Sequence, residues 1–465
     1  MNNKSSKTVV PIELLKKYDR PGPRYTSYPT VPNWTEAIDN NAYRNALENS
    51  SNDKNIARAL YCHVPFCRKR CYYCGCNTVV SNKPGNAVSY VDMVIREIEN
   101  TAKHLGGKTK ASQLHFGGGT PTYLSEQELG RLLDTIDRHF EFINNSEKSI
   151  ELDPRVTSRE QLKYLANRGF NRASIGVQDF NEIVQAASGR IQSYESVENI
   201  LNICRELKFK GINFDLIYGL PNQNVEKFSE TIEKAIAMKP DRLAVYSFAY
   251  LPQLKTNQSL IDQQLLPSTE EKYKLFARAV EMFTEAGYWQ IGMDHFALPN
   301  DELAVALDDG RLHRNFMGYT VQTSPEMIGF GMSSIGYVDN TFVQNISKID
   351  SYKNSINNDK LAIQRGIKLN RDDLIRQSVI LSLMCNFNLD FADIKKKYDI
   401  DYFDYFAIEH KNLKSFFEDE LLHQTDTGLE ITNIGKTFIR NIAMTYDAYL
   451  SVDSRGKKAT FSRTI

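Results

Sequence analysis

The alternation of short apolar runs with longer amphipathic runs, from about Arg58 to about Leu298, is the feature that most constrains the fold. The short runs are β-branched or aromatic and the longer runs have helical spacing, a pattern typical of repeated βα units around a parallel sheet. A seventh strand is expected at 290–294. The six clearest strands are predicted at 59–65, 113–116, 149–152, 172–177, 212–218 and 242–248. The sequence therefore predicts an α/β protein built on a partial (β/α)6 barrel.

A cysteine-rich run follows the first predicted strand. Five of the seven cysteines lie between residues 62 and 76, and Cys67, Cys71 and Cys74 have the spacing C-x3-C-x2-C. Soft thiolates held on a tight loop select an iron–sulfur cluster or zinc over hard cations. Three thiolates leave one iron of a cubane cluster without a protein ligand, and that iron is then open to a small molecule.

Zinc and disulfide bonds are the alternatives for these thiols. A structural zinc site normally adds a second cysteine or histidine pair, whereas Cys204 and Cys385 are isolated, so the spacing favours the cluster and leaves zinc as the second choice. A disulfide framework needs an oxidising compartment, and residues 1–10 are polar without the apolar core of a signal peptide. We therefore expect reduced thiols.

The charge balance narrows the class of partner. Lys+Arg and Asp+Glu are both 57, which gives a formal net charge of zero and a pI near 7.1. A protein that binds nucleic acid or a membrane surface usually has a basic excess, so neither partner is expected. With 41% hydrophobic residues and no apolar run near the ~20 residues that span a bilayer, the sequence predicts a soluble, cytoplasmic protein.

Polar and glycine residues follow the predicted strands at their carboxyl ends, where the chemistry of parallel βα folds takes place. A triple glycine also makes ordinary turns, and carboxylates also punctuate loops. A carboxylate within a buried strand, as at Asp215, costs several kcal/mol without a partner, which favours a site. The remaining candidates are the cysteine loop, the glycine-rich segment 117–122, Glu151, Asp153, Gln178 and Asp179.

The flanking regions divide the rest of the chain. Residues 1–52 hold prolines that favour an extended arm, 53–345 form the catalytic barrel, 365–450 form a mostly helical C-terminal domain, and 451–465 are predicted to be a flexible tail. A hairpin expected at 420–431 gives the C-terminal domain a winged-helix-like pattern. Winged helices often bind DNA, but the many acidic residues here favour a lid or substrate cover.

Several motifs together resemble a known enzyme family. They are the cysteine loop with the preceding segment 61–66, the segment 117–122, the arm segment 21–29, and the segments 292–296 and 313–316. The chain resembles the radical S-adenosylmethionine enzymes, with their partial TIM-like barrel, and more narrowly the oxygen-independent coproporphyrinogen oxidases of haem biosynthesis. The resemblance covers most of the chain.

The resemblance implies two kinds of cofactor. Cys67, Cys71 and Cys74 are expected to hold a [4Fe-4S] cluster, whose free iron binds S-adenosylmethionine. Glycine allows close approach of backbone to a ligand, and carboxylates accept hydrogen bonds from ribose. The positions expected to contact this first molecule are Tyr61, Gly118, Glu151 and Ile335. The positions expected to contact a second S-adenosylmethionine are Tyr73, Gly119, Thr120, Gln178, Arg190, Asp215 and Ala249.

The implied reaction is the oxidative decarboxylation of two propionates of coproporphyrinogen III to vinyl groups, which gives protoporphyrinogen IX without oxygen. A 5'-deoxyadenosyl radical made from S-adenosylmethionine is expected to start each decarboxylation. The implied partners are the tetrapyrrole substrate, an electron donor similar to flavodoxin or ferredoxin, and an electron acceptor of unknown identity. A monomer is expected.

Five residues are candidates for the substrate side of the reaction. They are Arg24, Tyr25, His63, Cys76 and Phe316. An arm arginine suits the planar carboxylate of a propionate. Cys76 matches an extra cysteine that separates these oxidases from related haem chaperones, although it is also compatible with a buried thiol. Met317 departs from the family pattern, which has glutamine there, so a polar role at this position is in doubt.

Two other interpretations remain open from the sequence. A haem chaperone of the same superfamily has the cluster loop but delivers haem, and Cys76 and the long arm argue against it. A zinc module with a winged-helix interaction domain is a non-enzymatic alternative, which analysis of iron and acid-labile sulfide would distinguish.

Overall fold

The computed structural model describes residues 9–450 and 461–464. The strands, in chain order, are β1 Ala57–Val64, β2 Phe66–Cys67, β3 Val79–Val80, β4 Thr109–Gly118, β5 Phe140–Leu152, β6 Arg172–Gln178, β7 Gly211–Tyr218, β8 Arg242–Ser247, β9 Trp289–Gly292, β10 His295–Ala297, β11 His313–Asn315, β12 Gly318–Thr320, β13 Met327–Phe330, β14 Ile335–Val338, β15 Thr341–Asn345, β16 Ile363–Lys368, β17 Asn388–Asp390, β18 Leu422–Gln424 and β19 Gly428–Ile431.

The α-helices lie between and after these strands. They are α1 Ile12–Tyr18, α2 Asn40–Ser50, α3 Pro84–His104, α4 Glu126–His139, α5 Arg159–Asn167, α6 Glu182–Ala187, α7 Tyr194–Glu206, α8 Val225–Met238, α9 Thr269–Glu285, α10 Glu302–Asp308, α11 Ile349–Asn357, α12 Arg371–Asn386, α13 Phe391–Tyr398, α14 Tyr402–Tyr405, α15 Ala407–Asn412, α16 Lys414–Glu418 and α17 Ile439–Ala443.

A twelve-stranded sheet in the order β16-β15-β14-β13-β1-β4-β5-β6-β7-β8-β10-β9 forms the catalytic region. All six clearly predicted strands are present, as β1 and β4–β8, and neighbours among them pair in parallel. Helices connect them, and the strands are rich in buried apolar residues. Because β16 and β9 end the sheet without pairing with each other, the barrel is open, as predicted.

The ends of the sheet differ from the prediction. The seventh predicted strand is β9, but β10 turns back from it and takes the place beside β8, antiparallel to both. At the other end, β13 pairs in parallel with β1 and is followed by the antiparallel strands β14–β16. Short strands of three or four residues carry too little periodicity to be predicted from sequence.

The helices begin at residues that cap their free backbone N–H groups. Ser125 starts α4 and Ser268 starts α9, and each forms a reciprocal capping box with the glutamate three residues later. Within the described residues, no helix combines the length and apolar character needed to cross a membrane.

The C-terminal domain consists of α12–α17 and a small antiparallel sheet in the order β17-β19-β18. The predicted hairpin at 420–431 is present as β18 and β19. Its helices and hairpin give the winged-helix-like pattern expected from the sequence.

The N-terminal arm lies between the barrel and the C-terminal domain. Arg440, which is 4% exposed, donates from its guanidinium to the carbonyls of Gly22 and Pro23 in the arm. It also donates to the carbonyls of Arg463 and Thr464, both at 3.1 Å. The predicted flexible tail, 451–465, falls mostly outside the described residues, and its described part, 461–464, lies against the arm, which the sequence did not indicate.

Candidate active site at the barrel rim

The cysteine loop begins where β1 ends and is held there by the glycine segment that follows β4. The backbone N–H of Gly119 donates to the carbonyl of Val64 at 2.8 Å, and that of Thr120 donates to the carbonyl of Phe66 at 2.9 Å. The hydroxyl of Thr120 also lies 3.5 Å from the sulfur of Cys67. The glycine segment therefore fixes the entry of the cysteine loop.

A second element holds the exit of the loop. The side-chain amide of Asn257, in the loop after β8, donates to the carbonyls of Cys71, Tyr72 and Cys74 at 3.2, 2.9 and 3.0 Å. Three carbonyls that would otherwise face solvent or ligand are thus turned toward one amide. The side chain of Asn257 therefore fixes the backbone at the exit of the cysteine loop.

Two arginines place positive charge beside Cys71. Arg155 and Arg190 lie 3.9 and 3.8 Å from its sulfur, and both pair with the carboxylate of Asp153. Burial alone would raise the pKa of Asp153, but its bonds with these arginines lower it, so the carboxylate stays ionised. Two guanidinium groups therefore lie beside the sulfur of Cys71.

The thiols of the expected ligands differ in pKa, and burial raises that of Cys67 to about 11. The hydrogen bond from Cys76 lowers the pKa of Cys74 to about 6. The Nε of Arg190 is buried without a hydrogen-bond partner among the described residues, which leaves a donor facing the site. Within residues 9–450 and 461–464, no three His, Cys, Asp or Glu side chains converge as ligands of a single metal ion would. A cubane cluster presents a separate iron to each thiolate, so its ligands need not converge in that way.

At Gly118 and Gly119 the backbone lies so close to neighbouring atoms that any side chain would clash with them. Gly118 has φ +120°, and a Cβ there would lie 2.6 Å from the ring of His63. A Cβ at Gly119 would lie 2.6 Å from the carbonyl oxygen of Pro65. Only glycine fits at these positions, where the backbone comes close to the cysteine loop.

A hydrogen-bonded row of side chains runs from β1 to β5. The N–H of Gly118 donates to Glu151 at 2.9 Å, and His115 lies 3.5 Å from the other oxygen of Glu151. Burial would raise the pKa of Glu151, but these two contacts lower it. On β1, the ring of Tyr61 stacks on His115 at 5.9 Å, and its hydroxyl lies 3.0 Å from Nδ1 of His63. An ionised carboxylate therefore lies beside Gly118, as a ribose contact requires.

Strands β6 and β7 place a second carboxylate, that of Asp215, in the same cavity as Glu151. Ser174 and Asn213 donate to Asp215 at 2.9 and 2.8 Å, and burial raises the pKa of Asp215 to about 6 against these bonds. Gln178 ends β6 with φ +68°, and Arg190 donates to the carbonyl of Gly176 beside it at 2.6 Å. The carboxylate is therefore partnered, as expected for a buried strand position.

Tyr73 and Ala249 are joined by one side chain. The amide of Gln258 donates to both of their carbonyls, at 3.2 and 3.1 Å. Burial raises the pKa of the Tyr73 hydroxyl, so the hydroxyl remains protonated. The loop after β8 thus joins the cysteine loop through Gln258 as well as Asn257.

A polar cavity of about 160 Å³ lies against one face of β4–β8. The β11–β12 hairpin covers it through Met317 and Tyr319. Its other lining residues include His115, Glu151, Asp215, Tyr246 and His295. The carboxylates of the rim therefore open into a shared interior space.

The two arm candidates point in different directions. Arg24 forms an ion pair with Asp294 in which Nη2 lies 2.9 and 2.6 Å from the two carboxylate oxygens, and its guanidinium lies over the ring of Tyr246. Tyr25 has φ +48° and is 1% exposed, and its hydroxyl donates to Asp447 of the C-terminal domain at 2.9 Å. Arg24 therefore lies beside Tyr246, which lines the cavity, whereas Tyr25 bonds to the C-terminal domain.

Phe316 and Ile335 belong to one apolar cluster beside the rim. Phe316 makes edge contacts with Trp34 and Phe342 at 5.9 and 6.0 Å, and Ile335 packs in the same cluster. Met317, which follows Phe316, lines the cavity with an apolar side chain. This side chain offers no hydrogen-bond donor to the cavity.

The last two substrate-side candidates, His63 and Cys76, lie on either side of the cysteine loop. His63 is buried on β1, where burial lowers its pKa, and its Nε2 lies 2.9 Å from the carbonyl of Asn77. Cys76 is exposed at the end of the loop. Cys62 is buried in β1, which raises the pKa of its thiol.

Sequence reasoning missed several residues that shape this site. Arg155 lies two residues beyond Asp153, after the carboxyl end of β5. Its place near a strand end is the sequence signal that could have identified it. His115 alternates with the buried positions of β4 and faces the cavity. Asn257 lies on a long irregular loop, where no local pattern signals its role.

Comparison with known proteins decides the family. Residues 61–235 match the Radical SAM superfamily model, and residues 369–438 match the model of the HemN C-terminal domain. An oxygen-independent coproporphyrinogen III oxidase from Escherichia coli (strain K12) is 42% identical over 454 residues, which cover 98% of each chain. The chain belongs to the oxygen-independent coproporphyrinogen III oxidase family.

Other members of this family agree in extent. An oxygen-independent coproporphyrinogen III oxidase from Synechocystis is 41% identical over 457 residues and covers 97% of each chain. The solved structure of the Escherichia coli oxidase, described as a radical SAM enzyme, superposes with a TM-score of 0.90 at 40% identity and covers 96% of this chain and 100% of that chain. The similarity therefore includes the arm, the barrel and the C-terminal domain.

Proposed function

We propose that this protein catalyses the oxygen-independent conversion of coproporphyrinogen III to protoporphyrinogen IX in haem biosynthesis. Two propionates each lose carbon dioxide, a hydrogen atom and an electron, and each becomes a vinyl group. When bound, the cluster and S-adenosylmethionine supply the 5'-deoxyadenosyl radical that takes the hydrogen atom from the propionate β-carbon. The protein binds, orients and shields these groups from water.

One observation carries the proposal: the cysteine loop, the close-approach glycines and two partnered carboxylates share one rim of the barrel. Gly118 joins the loop to Glu151 by a hydrogen bond of 2.9 Å, and Arg190 lies 3.8 Å from Cys71. These are the donors and acceptors that an amino acid group and a ribose require when they lie beside a cluster. Membership of the radical SAM superfamily implies both a [4Fe-4S] cluster and S-adenosylmethionine.

The thiols of Cys67, Cys71 and Cys74 are the proposed cluster ligands. The guanidinium groups of Arg155 and Arg190 lie beside the sulfur of Cys71, while the hydroxyl of Thr120 lies beside Cys67. Such charged and hydroxyl groups also tune the reduction potential of a cluster.

The first S-adenosylmethionine is proposed to lie beside Tyr61, Gly118, Glu151 and Ile335. Glu151 accepts hydrogen bonds from the ribose, because the contacts with His115 and Gly118 keep it ionised. Gly118 lets the backbone approach the methionine group.

The second S-adenosylmethionine is proposed to lie on the side of β6–β8. Asp215 accepts from ribose hydroxyls, and Arg190 binds a carboxylate with its free Nε. The other proposed contacts are Tyr73, Gly119, Thr120, Gln178 and Ala249. A ratio of two S-adenosylmethionine molecules per protein in equilibrium dialysis is the expected result, and a ratio of one would contradict the second site.

The substrate is proposed to enter over the cavity between the arm and the rim. Arg24 presents a guanidinium that can exchange Asp294 for a propionate, and Phe316 contributes an apolar wall for the macrocycle. His63 and Cys76 lie at the cluster loop as candidates for proton or electron transfer, and Tyr25 anchors the arm. A cytoplasmic location and a monomeric state are further predictions.

The test is carbon dioxide release from coproporphyrinogen III by anaerobically reconstituted, dithionite-reduced protein with S-adenosylmethionine. Cys71→Ala is expected to abolish both acid-labile sulfide and turnover. The matched control is Cys204→Ala, a buried cysteine on α7 that is far from the loop in sequence and is expected to retain both. Loss of sulfide in the control alone, or zinc without sulfide in the unaltered protein, would reject the cluster site. Stable haem binding without turnover would favour a chaperone instead.

A further inference from the structure

The segment that surrounds the cysteine loop has an unusual charge. Residues 54–91 contain six basic residues and no aspartate or glutamate, although the whole chain has 57 of each charge. Three of the six, Arg68, Lys69 and Arg70, are consecutive and lie between the first two cysteines of the loop. Positive charge is therefore concentrated at the loop of an otherwise neutral protein.

The basic side chains at this loop are not neutralised. Arg68 and Lys69 are exposed, and among the described residues neither has an acidic partner within ion-pair distance. Arg70 bonds to the hydroxyl of Thr78 at 2.9 Å, which holds its side chain without cancelling its charge. A neighbouring loop adds Lys255, which lies two residues before Asn257, the residue whose side chain is bonded to the backbone of the cysteine loop. These four side chains form what we call the loop basic patch.

Apolar side chains lie close to this patch. The loop that carries Lys255 is attached to the cysteine loop by Asn257, and it exposes Leu254 and Leu260 at 63% and 64%. Exposed apolar groups beside unpaired charge are typical of protein contact surfaces rather than of bare solvent-facing loops.

From this arrangement we propose that the loop basic patch is the docking surface for an acidic one-electron carrier protein that reduces the cluster. The proposal rests on the proposed function, in which each turnover requires an electron. The carrier is acidic because only a negative surface complements Arg68, Lys69, Arg70 and Lys255. Its contact is small and transient, as in other electron-transfer pairs, so charge governs the encounter more than buried area does.

The location suits this task because the patch and the cysteines share one loop. Cys67 and Cys74 are only partly buried, and the residues between them form the patch. A carrier seated on Arg68 and Lys69 therefore approaches the cluster without entering the barrel, where substrate binds. The electron passes from the carrier to the cluster, and one carrier molecule is oxidised for each cluster reduced.

The test compares two charge-reversed proteins of equal net charge. Arg68→Glu with Lys69→Glu reverses the patch, and Lys395→Glu with Lys396→Glu on α13 reverses two exposed lysines elsewhere. Turnover is measured with reduced flavodoxin, an acidic carrier, and separately with dithionite, which needs no docking. Binding of oxidised flavodoxin is measured directly by fluorescence anisotropy.

The patch variant is expected to weaken flavodoxin binding and to lower flavodoxin-driven turnover by about tenfold or more at low ionic strength. The difference in flavodoxin-driven turnover between the patch variant and the unaltered protein is expected to shrink at high salt, because salt screens the attraction between the patch and the carrier. Charge reversal between two proposed ligands also acts on the cluster itself, so docking is measured as the ratio of flavodoxin-driven to dithionite-driven turnover, and it is this ratio that is expected to fall. The KM for coproporphyrinogen with dithionite is expected to stay within about twofold.

Three outcomes overturn the proposal. Unchanged flavodoxin binding in the patch variant, or an equal loss in the α13 control, shows that the carrier docks elsewhere. A raised KM for coproporphyrinogen with dithionite shows that the patch binds substrate propionates instead. Failure of the proposed function is distinct, because the unaltered protein would then release no carbon dioxide with dithionite.

Discussion

Gly119→Ala is the substitution whose effect follows most directly from the structure. A Cβ at this position lies 2.6 Å from the carbonyl oxygen of Pro65 and 2.8 Å from that of Phe66. Both are backbone atoms, so no side chain can rotate away. The N–H of Gly119 also bonds to Val64, which ties the glycine segment to the entry of the cysteine loop.

The size of the effect follows from these distances. Ordinary contact begins at 3.4 Å, so the backbone must move by about 0.8 Å. Overpacking of this kind costs about 1–3 kcal/mol of stability. The displaced backbone leads directly to Cys67, and a misplacement near 1 Å at a reacting centre lowers the rate by roughly 100-fold.

The assays are the melting temperature, acid-labile sulfide content and carbon dioxide release after anaerobic reconstitution. The control is Gly75→Ala in the cysteine loop itself, where a Cβ meets nothing within 4 Å. We expect Gly119→Ala to lose stability and activity and Gly75→Ala to keep both to within about twofold. Equal behaviour of the two variants would refute the argument from close approach.

Three further substitutions test other parts of the molecule. Burial raises the pKa of Glu97 from 4.5 to about 7. The protonated carboxyl therefore stabilises the fold fully below pH 4.5, and this contribution, roughly 3 kcal/mol, is lost as the pH rises through 7. Glu97→Gln should gain in melting temperature relative to the unaltered protein between pH 5 and 8, and parallel pH profiles would contradict this. Arg440→Gln removes charge-assisted bonds to the arm, each worth about 1.5–3 kcal/mol. The arm should then become sensitive to trypsin, and the KM for coproporphyrinogen should rise more than kcat falls. An intact arm with an unchanged KM would show that Arg440 does not hold the arm in place. Asp153→Asn weakens the hold on Arg155 and Arg190 and should lower acid-labile sulfide and turnover together, whereas full sulfide and rate would show that the two arginines need no carboxylate.

The parallel core of the fold could be predicted because its signal is local. Most of these parallel strands contain a buried apolar run bounded by polar segments, and helices with capping serines follow several of them. The short strands β10 and β13 are placed by long-range pairing with β8 and β1, which no window of sequence contains. Topology at the edges of the sheet therefore required the structure.

The candidate site was predictable to the same degree. Cysteine spacing and strand ends indicated the loop, Gly118, Glu151 and Asp215, and the structure places them on one rim, while their roles stay predictions. Arg24 and Tyr25 are neighbours in sequence, yet the left-handed backbone at Tyr25 turns its side chain into the C-terminal domain. Adjacent residues therefore diverge where a local backbone angle decides their direction.

The central claim is that a hydrogen atom leaves the propionate β-carbon for the adenosyl group. The most direct measurement uses coproporphyrinogen III deuterated at the propionate β-carbons, with mass spectrometry of the 5'-deoxyadenosine formed by the reconstituted protein. We expect deuterium in 5'-deoxyadenosine and two molecules of carbon dioxide for each protoporphyrinogen IX. Carbon dioxide release accompanied only by unlabelled 5'-deoxyadenosine would contradict it.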